Sequence, residues 1–187
     1  MVRYFAGFDG AETQTTVAER EALCQLIENR RCAVEIGVFE GRTTFDLARA
    51  LPADGLLYAV DPFFTGRLGV CWGEPIAKSQ IAKSGKREQV VILKMLSSQA
   101  VDHVPGQPDF VFIDGDHSLE GIKTDWTIWS HKVTHGGVIA LHDTALSGPN
   151  PRIKDFGSYQ YFESNIKYDP RYRHIDTVDS MTVVIRT

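Results

Sequence analysis

The sequence predicts an α/β sandwich built around a mostly parallel β-sheet. Strand-like and helix-like segments alternate along most of the 187 residues, a pattern typical of parallel sheets covered by helices. The segment Phe110–Ile113 is apolar at every position, as in a strand that is buried on both faces. Near the C-terminus, Asp179 and Ser180 join two strand-like segments, which indicates an antiparallel hairpin at the edge of the sheet.

Local patterns predict the individual elements. Thr16 and Glu19 have the spacing of a capping box, so a helix should begin there and run to about residue 29. Apolar residues at spacings of three and four predict an amphipathic helix over 119–133. The other predicted elements are strands at 32–36, 56–60, 89–94, 138–141, 172–178 and 181–185, and helices after residue 41, within 74–84, from 97 and over 158–166.

Composition and charge narrow the range of functions. The chain has 20 basic and 24 acidic residues and no basic cluster, so neither a nucleic acid nor a membrane is an expected partner. Its three cysteines lack C-x-x-C spacing, which favours a reducing cytoplasm, and no signal peptide or membrane-spanning run is recognisable. We therefore expect one cytoplasmic domain over residues 1–187. Its N-terminal segment, 1–12, is either a cap over the site or a disordered start.

A glycine loop joins the first predicted strand to the following helix. Gly37 and Gly41 allow the backbone to approach a ligand closely, and the helix start beyond them offers free N–H groups to a carboxylate. The spacing is neither that of a dinucleotide-binding loop nor that of a P-loop. Asp61 ends the second strand about 20 residues further on, where an acidic residue can bind both hydroxyls of a ribose. A tight turn at the loop and a turn residue before Pro62 are the structural alternatives.

Polar side chains follow the fourth and fifth strands. Asp114 and Asp116 come after one strand, and His142 and Asp143 come after the other. If the strands are neighbours, these groups converge at the carboxyl edge of the sheet, where α/β proteins bind ligands. Oxygen ligands with one imidazole suit Mg²⁺, Mn²⁺ or Ca²⁺, and also Fe²⁺ or Zn²⁺. Asp116 as a helix cap and Asp143 as a turn residue are alternatives without a ligand.

Four segments together resemble the class I S-adenosylmethionine-dependent methyltransferases. They are VEIGVFEG at 34–41, AVDP at 59–62, FIDGDH at 112–117 and GGVIALHD at 136–143. The most similar subgroup is the small O-methyltransferases of the catechol and macrolide-sugar type. The resemblance implies a Rossmann-like three-layer sandwich with a seven-stranded sheet in the order 3-2-1-4-5-7-6, whose last strand is antiparallel.

The resemblance also implies roles for individual residues. The expected cofactor-binding residues are Glu35, Gly37 and Gly41 around the methionine part, Asp61 at the ribose, Ser97 and Ser98 near the adenine, and Asp114. The expected ligands of a divalent cation, with Mg²⁺ the first expectation, are Asp114, His142 and Asp143. His117 is the expected base, with Asp114 beside it. Relatives often carry a carboxylate where this chain has His142.

We therefore predict transfer of a methyl group from S-adenosylmethionine to a hydroxyl of a small molecule, assisted by a divalent cation. A metal-independent methyltransferase acting on oxygen or nitrogen, a nicotinamide-dependent oxidoreductase and a non-catalytic cofactor-binding protein are the alternatives. The missing third glycine disfavours the nicotinamide enzyme. Loops at 63–85 and 144–160 should face the acceptor, with Trp72 as the aromatic residue expected to touch it. The chain is short for its family, and a homodimer would supply a further cap.

Overall fold

The computed structural model describes residues 2–66, 69–147 and 150–187. The strands agree with the sequence-based bounds to within one residue at each end. The described elements are α1 (Val2–Phe5), α2 (Val17–Ile27), β1 (Cys32–Ile36), α3 (Arg42–Ala50), β2 (Leu56–Val60), α4 (Gly73–Lys83), β3 (Val90–Leu93), α5 (Ser97–Ala100), β4 (Phe110–Ile113), α6 (Leu119–Lys132), β5 (Val138–Leu141), α7 (Gly157–Ser164), β6 (Tyr172–Val178) and β7 (Met181–Arg186).

The seven strands form one sheet in the order β3-β2-β1-β4-β5-β7-β6, which confirms the predicted topology. β1 to β5 are parallel to one another, whereas β7 runs antiparallel to both β5 and β6. In this register Ile36 pairs with Ile113, and Ile113 pairs with Leu141. The residues that follow these three positions therefore meet at one edge of the sheet.

Helices cover both faces of the sheet, which gives the predicted three layers. On one face, Val111 and Ile113 of β4 belong to a buried cluster that includes Trp129 of α6. On the other face, Phe110 and Phe112 of the same strand belong to a cluster with residues of α2 and α3. Because successive side chains of β4 are buried on opposite faces, the strand is apolar throughout.

Two helix starts show how local chemistry sets the elements at the site. α2 begins at the predicted capping box, in which Thr16 Oγ1 accepts from the Glu19 amide and Glu19 accepts from the Thr16 amide. α6 begins at Ser118, whose hydroxyl accepts from the Gly121 amide at 3.0 Å. The alternative in which Asp116 caps α6 directly is wrong. Asp116 instead accepts from the amide and hydroxyl of Ser118 and holds the capping residue in place.

The N-terminal segment and the loop after β5 contain more structure than their sequences indicate. Tyr4 of α1 is buried, and its hydroxyl accepts from Gln80 Nε2 at 3.0 Å and Lys83 Nζ at 2.9 Å. In the segment after β5, residues 151–155 form a 3₁₀ turn that buries Ile153, while 148–149 lie outside the described residues. Within the described ranges, the helices are all too short or too polar to cross a membrane.

Candidate active site

A cleft of about 940 Å³ opens at the carboxyl edge of the sheet, above the ends of β1, β2 and β4. Its size lies in the range of small-molecule sites. The sequence-predicted residues that line it are Gly37, Asp61, Trp72, Ser97, Ser98, Asp114 and His117. Glu12 lines it too, which brings the end of the N-terminal segment to the cleft.

The two glycines of the loop after β1 have different roles. Gly37 lines the cleft with φ +92°, and a Cβ there would lie 2.6 Å from the carbonyl carbon of Asp114. Glycine is therefore needed for the ends of β1 and β4 to touch. Gly41 does not line the cleft. Its φ is +76°, and a Cβ would lie 2.7 Å from the Cα of Ala77, so this glycine allows α3 and α4 to pack closely.

Asp61 holds the glycine loop against the end of β2. Its Oδ2 accepts from the amides of Val38 and Phe39 at 2.9 and 3.0 Å, and its Oδ1 accepts from the Phe63 amide at 2.6 Å. Phe39 and Phe63 have positive φ angles of 52° and 48°, which are uncommon for such side chains and mark a strained turn. A carboxylate has about four acceptor sites, so Asp61 keeps acceptor capacity towards the cleft.

Glu35 lies beneath the cleft and does not line it. Its side chain is fully buried on the α3 side of β1, where the Thr44 hydroxyl donates to Oε2 at 2.6 Å and Oε1 has no partner among the described residues. Burial raises the pKa of Glu35 well above its usual range, against the opposing effect of the Thr44 hydrogen bond. The structure therefore places Glu35 outside the cleft, where it binds Thr44 of α3.

The far wall of the cleft pairs a predicted residue with one that the sequence did not reveal. The Ser97 hydroxyl donates to Oδ1 of Asp125, and both residues line the cleft. Asp125 is 4% exposed, and burial raises its pKa to about 6, although the Ser97 hydrogen bond acts against this. The sequence offers one signal that Asp125 is buried: it is an acidic residue next to Trp126, on the face of α6 that packs against the sheet.

Of the polar groups after β4 and β5, Asp114, His142 and Asp143 converge as predicted, whereas Asp116 is exposed and binds Ser118 instead. One donor atom from each of Asp114, His117 and His142 lies within 4.8 Å of the others. His142 Nδ1 is 2.9 Å from Asp114 Oδ1 and 3.7 Å from Asp143 Oδ2. Asp114 and His117 face the cleft, whereas His142 and Asp143 are buried behind them. The cluster therefore lies at one end of the cleft, partly shielded from water.

His142 is 3% exposed and sits among carboxylates. Within the part of the chain that the structure describes, neither ring nitrogen makes an aligned hydrogen bond, even though Nδ1 is close to Asp114 and Nε2 lies 3.4 Å from Oε2 of Glu19. Burial by itself lowers the pKa of this imidazole, but Asp114, Glu19 and Asp143 outweigh that effect and raise it to about 11. Without another cation in the cluster, His142 is therefore a buried imidazolium.

His117 stands at the boundary between this cluster and the cleft. Its side chain is 29% exposed, Nε2 is 3.7 Å from Asp114 Oδ1, and Nδ1 is 3.6 Å from Asp143 Oδ2. Phe156 packs against the imidazole with ring centroids 5.6 Å apart. A histidine held between two carboxylates, with part of its ring open to the cleft, is well placed to exchange a proton with a ligand.

The sheet order, the glycine loop and the acidic residue at the end of β2 define the architecture of a class I methyltransferase. A protein-family profile described as a methyltransferase domain matches residues 34–144, which is more than half of the chain. The chain therefore belongs to the methyltransferase-domain family, as its four motifs predict.

Similar proteins fit this assignment. Tapetum-specific methyltransferase 1 of Arabidopsis thaliana is 28% identical over 148 residues, which cover 74% of this chain and 58% of that protein. The O-methyltransferase from Bacillus cereus in complex with SAH has a TM-score of 0.71 at 20% identity, covering 99% of this chain and 87% of that chain. The O-methyltransferase TomG from Streptomyces achromogenes in complex with SAM has a TM-score of 0.69 at 20% identity, covering 99% of this chain and 86% of that chain. Two curated relatives that the chain matches are longer, and it spans 14% and 58% of their lengths.

Proposed function

We propose that the protein transfers a methyl group from S-adenosylmethionine to a hydroxyl group of a small molecule, with the assistance of a divalent cation. The observation that carries the proposal is the single cleft that joins Gly37 and Asp61 to Asp114 and His117. Similar structures whose names include O-methyltransferase support oxygen as the acceptor atom.

The cofactor would occupy the side of the cleft formed by β1 and β2. Gly37 lets the ligand approach the backbone, and Asp61 offers acceptor sites to the hydroxyls of a ribose. Ser97 and Ser98 also line the cleft and are candidates for contacts with the base. S-adenosylmethionine supplies a methyl group on a positively charged sulfur, and the acidic groups that line the cleft favour such a cation.

The side chains after β4 and β5 fit a divalent cation. Asp114, His142 and Asp143 would hold it, and the unpartnered buried nitrogens of His142 are the observation that supports this site. One imidazole with two carboxylates suits several divalent ions. A cation held by these residues would lower the pKa of an acceptor hydroxyl and orient it.

His117 would take the proton from the acceptor hydroxyl. Its ring reaches the cleft, and Asp114 Oδ1 and Asp143 Oδ2 lie 3.7 and 3.6 Å from its two ring nitrogens. General-base catalysis of this kind contributes about 10²–10⁴-fold. The cleft walls orient the acceptor for in-line attack, and alignment supplies much of the remaining acceleration.

One observation favours a second candidate, a methyltransferase that works without a metal. The imidazolium of His142 itself balances part of the charge of Asp114 and Asp143, because the surrounding carboxylates keep the ring protonated. In that mechanism His117 acts as the base without help from a cation.

Two measurements test these proposals. Isothermal titration calorimetry with S-adenosylhomocysteine and with NAD⁺ should show binding of the former alone, and lack of binding to S-adenosylhomocysteine would refute the methyltransferase proposal. Methylation of a panel of small hydroxyl compounds is then compared before and after treatment with EDTA. Loss of turnover that Mg²⁺ restores supports the cation, while unchanged turnover favours the metal-free enzyme.

A further inference from the structure

Glu19 is a buried charged side chain to which the proposed function assigns no role. It lies in the first turn of α2 and has no exposed surface. Its Oε1 accepts from the amide and hydroxyl of Ser180 at 3.0 and 2.7 Å, and its Oε2 accepts from the Thr16 amide at 2.7 Å. These contacts fix the carboxylate in one position, and they explain how an ionised group can be buried here.

The fixed carboxylate faces one nitrogen of His142. Oε2 of Glu19 lies 3.4 Å from Nε2, whereas Nδ1, on the opposite edge of the ring, faces Asp114 and Asp143. The two edges of the imidazole therefore have different surroundings. Oε2 of Glu19 is thus within reach of a proton on Nε2, although the two atoms are not aligned as a hydrogen bond, and Nδ1 lies beside the two carboxylates proposed as cation ligands.

We infer that Glu19 is a positioning residue that holds the proton of His142 on Nε2 and so presents Nδ1 as a ligand for the cation. The inference rests on the proposed function. A carboxylate behind a metal-binding histidine fixes the orientation and tautomer of the ring, and loss of such a partner typically lowers metal affinity about 10- to 100-fold. The capping-box role of Glu19, which is visible in the sequence, does not by itself predict such an effect.

The test measures the Mn²⁺ affinity of two variants by isothermal titration calorimetry. Glu19→Gln keeps the size of the side chain but removes its charge, and we expect Mn²⁺ affinity to fall by about 10- to 100-fold. Ser180→Ala is the matched control, because it removes a hydrogen bond to Glu19 at 2.7 Å and leaves the carboxylate beside His142. Its Mn²⁺ affinity should equal that of the wild type. Both variants should bind S-adenosylhomocysteine as the wild type does.

The outcomes separate this inference from the proposed function. If Glu19→Gln binds Mn²⁺ as tightly as the wild type, Glu19 is only a structural residue and the inference is refuted, while the proposed function stands. If the wild type binds S-adenosylhomocysteine but no Mn²⁺, the cation and this inference are both refuted and the metal-free mechanism remains. If it binds neither, the methyltransferase proposal fails as well.

A second measurement does not depend on whether Glu19→Gln folds. Two-bond ¹H–¹⁵N correlation spectra of the ¹⁵N-labelled wild type with Zn²⁺, a diamagnetic ion that accepts imidazole and carboxylate ligands, report the tautomer of each histidine. The signal of His142 is identified as the one that is missing from the spectrum of His142→Asn. A proton on Nε2 of His142 supports the inference, and a proton on Nδ1 refutes it.

Discussion

Gly37 is the position at which a single added methyl group should damage the fold and the site together. In Gly37→Ala, the new Cβ would lie 2.6 Å from the carbonyl carbon of Asp114 and closer still to its oxygen, in a backbone with φ +92°. Hydrogen bonds also hold the neighbouring backbone in place, because the Gly37 amide donates to the Val60 carbonyl at 2.9 Å and the Asp114 amide donates to the Ile36 carbonyl at 2.8 Å. The end of β4 would have to move away from β1.

The structure gives the size of the effect. A positive φ costs an L-residue about 1–2 kcal/mol, and overpacking against backbone adds about 1–3 kcal/mol. The sum, about 2–5 kcal/mol, corresponds to a fall in melting temperature of about 10 °C for a chain of this length. Because Asp114 carries the displacement, affinity for S-adenosylhomocysteine should also fall.

Gly106→Ala is the matched control. Gly106 has φ +70°, but a Cβ there would meet no atom of the described residues within 4 Å, so this substitution carries only the cost of the positive φ angle. Its melting temperature should fall by about 4 °C, with ligand affinity unchanged. Thermal unfolding followed by circular dichroism measures the stabilities of both variants, and calorimetry measures ligand affinity. Equal destabilisation of the two variants would refute the argument that Gly37 serves the contact between β1 and β4.

Three further predictions concern single side chains. His117→Gln should lower kcat by about 10²–10⁴-fold with unchanged binding of S-adenosylhomocysteine, and equal kcat values would exclude a role as base. Asp61→Asn should weaken binding of S-adenosylhomocysteine at least about tenfold, because an amide group cannot accept all the hydrogen bonds that Asp61 now accepts. An unchanged affinity in calorimetry would contradict this prediction. Asp125→Asn should raise the free energy of unfolding by up to about 3 kcal/mol at pH 7. The pKa of Asp125 rises from 3.8 to about 6 on folding, so the folded wild type loses stability as the pH rises through this range, and the variant does not. Urea unfolding should show no gain from this substitution below about pH 4, and a gain that is the same at both pH values would refute the assignment.

The parts of the fold that the sequence predicts well are those with a purely local cause. β1, β2, β4 and β5 have the predicted bounds because each is a short, predominantly apolar run that is largely buried in the sheet. The start of α2 also agrees, since the reciprocal bonds between Thr16 and Glu19 involve residues only three apart. Convergence of Asp114 with His142 follows once β4 and β5 are neighbours.

The parts of the site that the sequence does not reveal depend on contacts distant along the chain. Glu19 and Ser180 are 161 positions apart in the sequence, and no local pattern predicts the hydrogen bonds between them. Asp125 resembles an ordinary polar position of an amphipathic helix until α5 places Ser97 beside it. Glu35 shows the opposite case: the motif marks it for the cofactor, but the alternation of β1 turns its side chain away from the cleft.

The reversed direction of β7 has a consequence for the proposed cation site. Because β7 is antiparallel to β5, it begins at the carboxyl end of β5, where Thr182 pairs with Leu141. The turn before β7 therefore lies at the same edge of the sheet as His142, and Ser180 in that turn binds Glu19. A parallel β7 would begin at the opposite edge and leave the carboxylate without this anchor. The closing hairpin thus connects the first turn of α2 to the buried histidine, and it places a third acidic side chain beside the cluster.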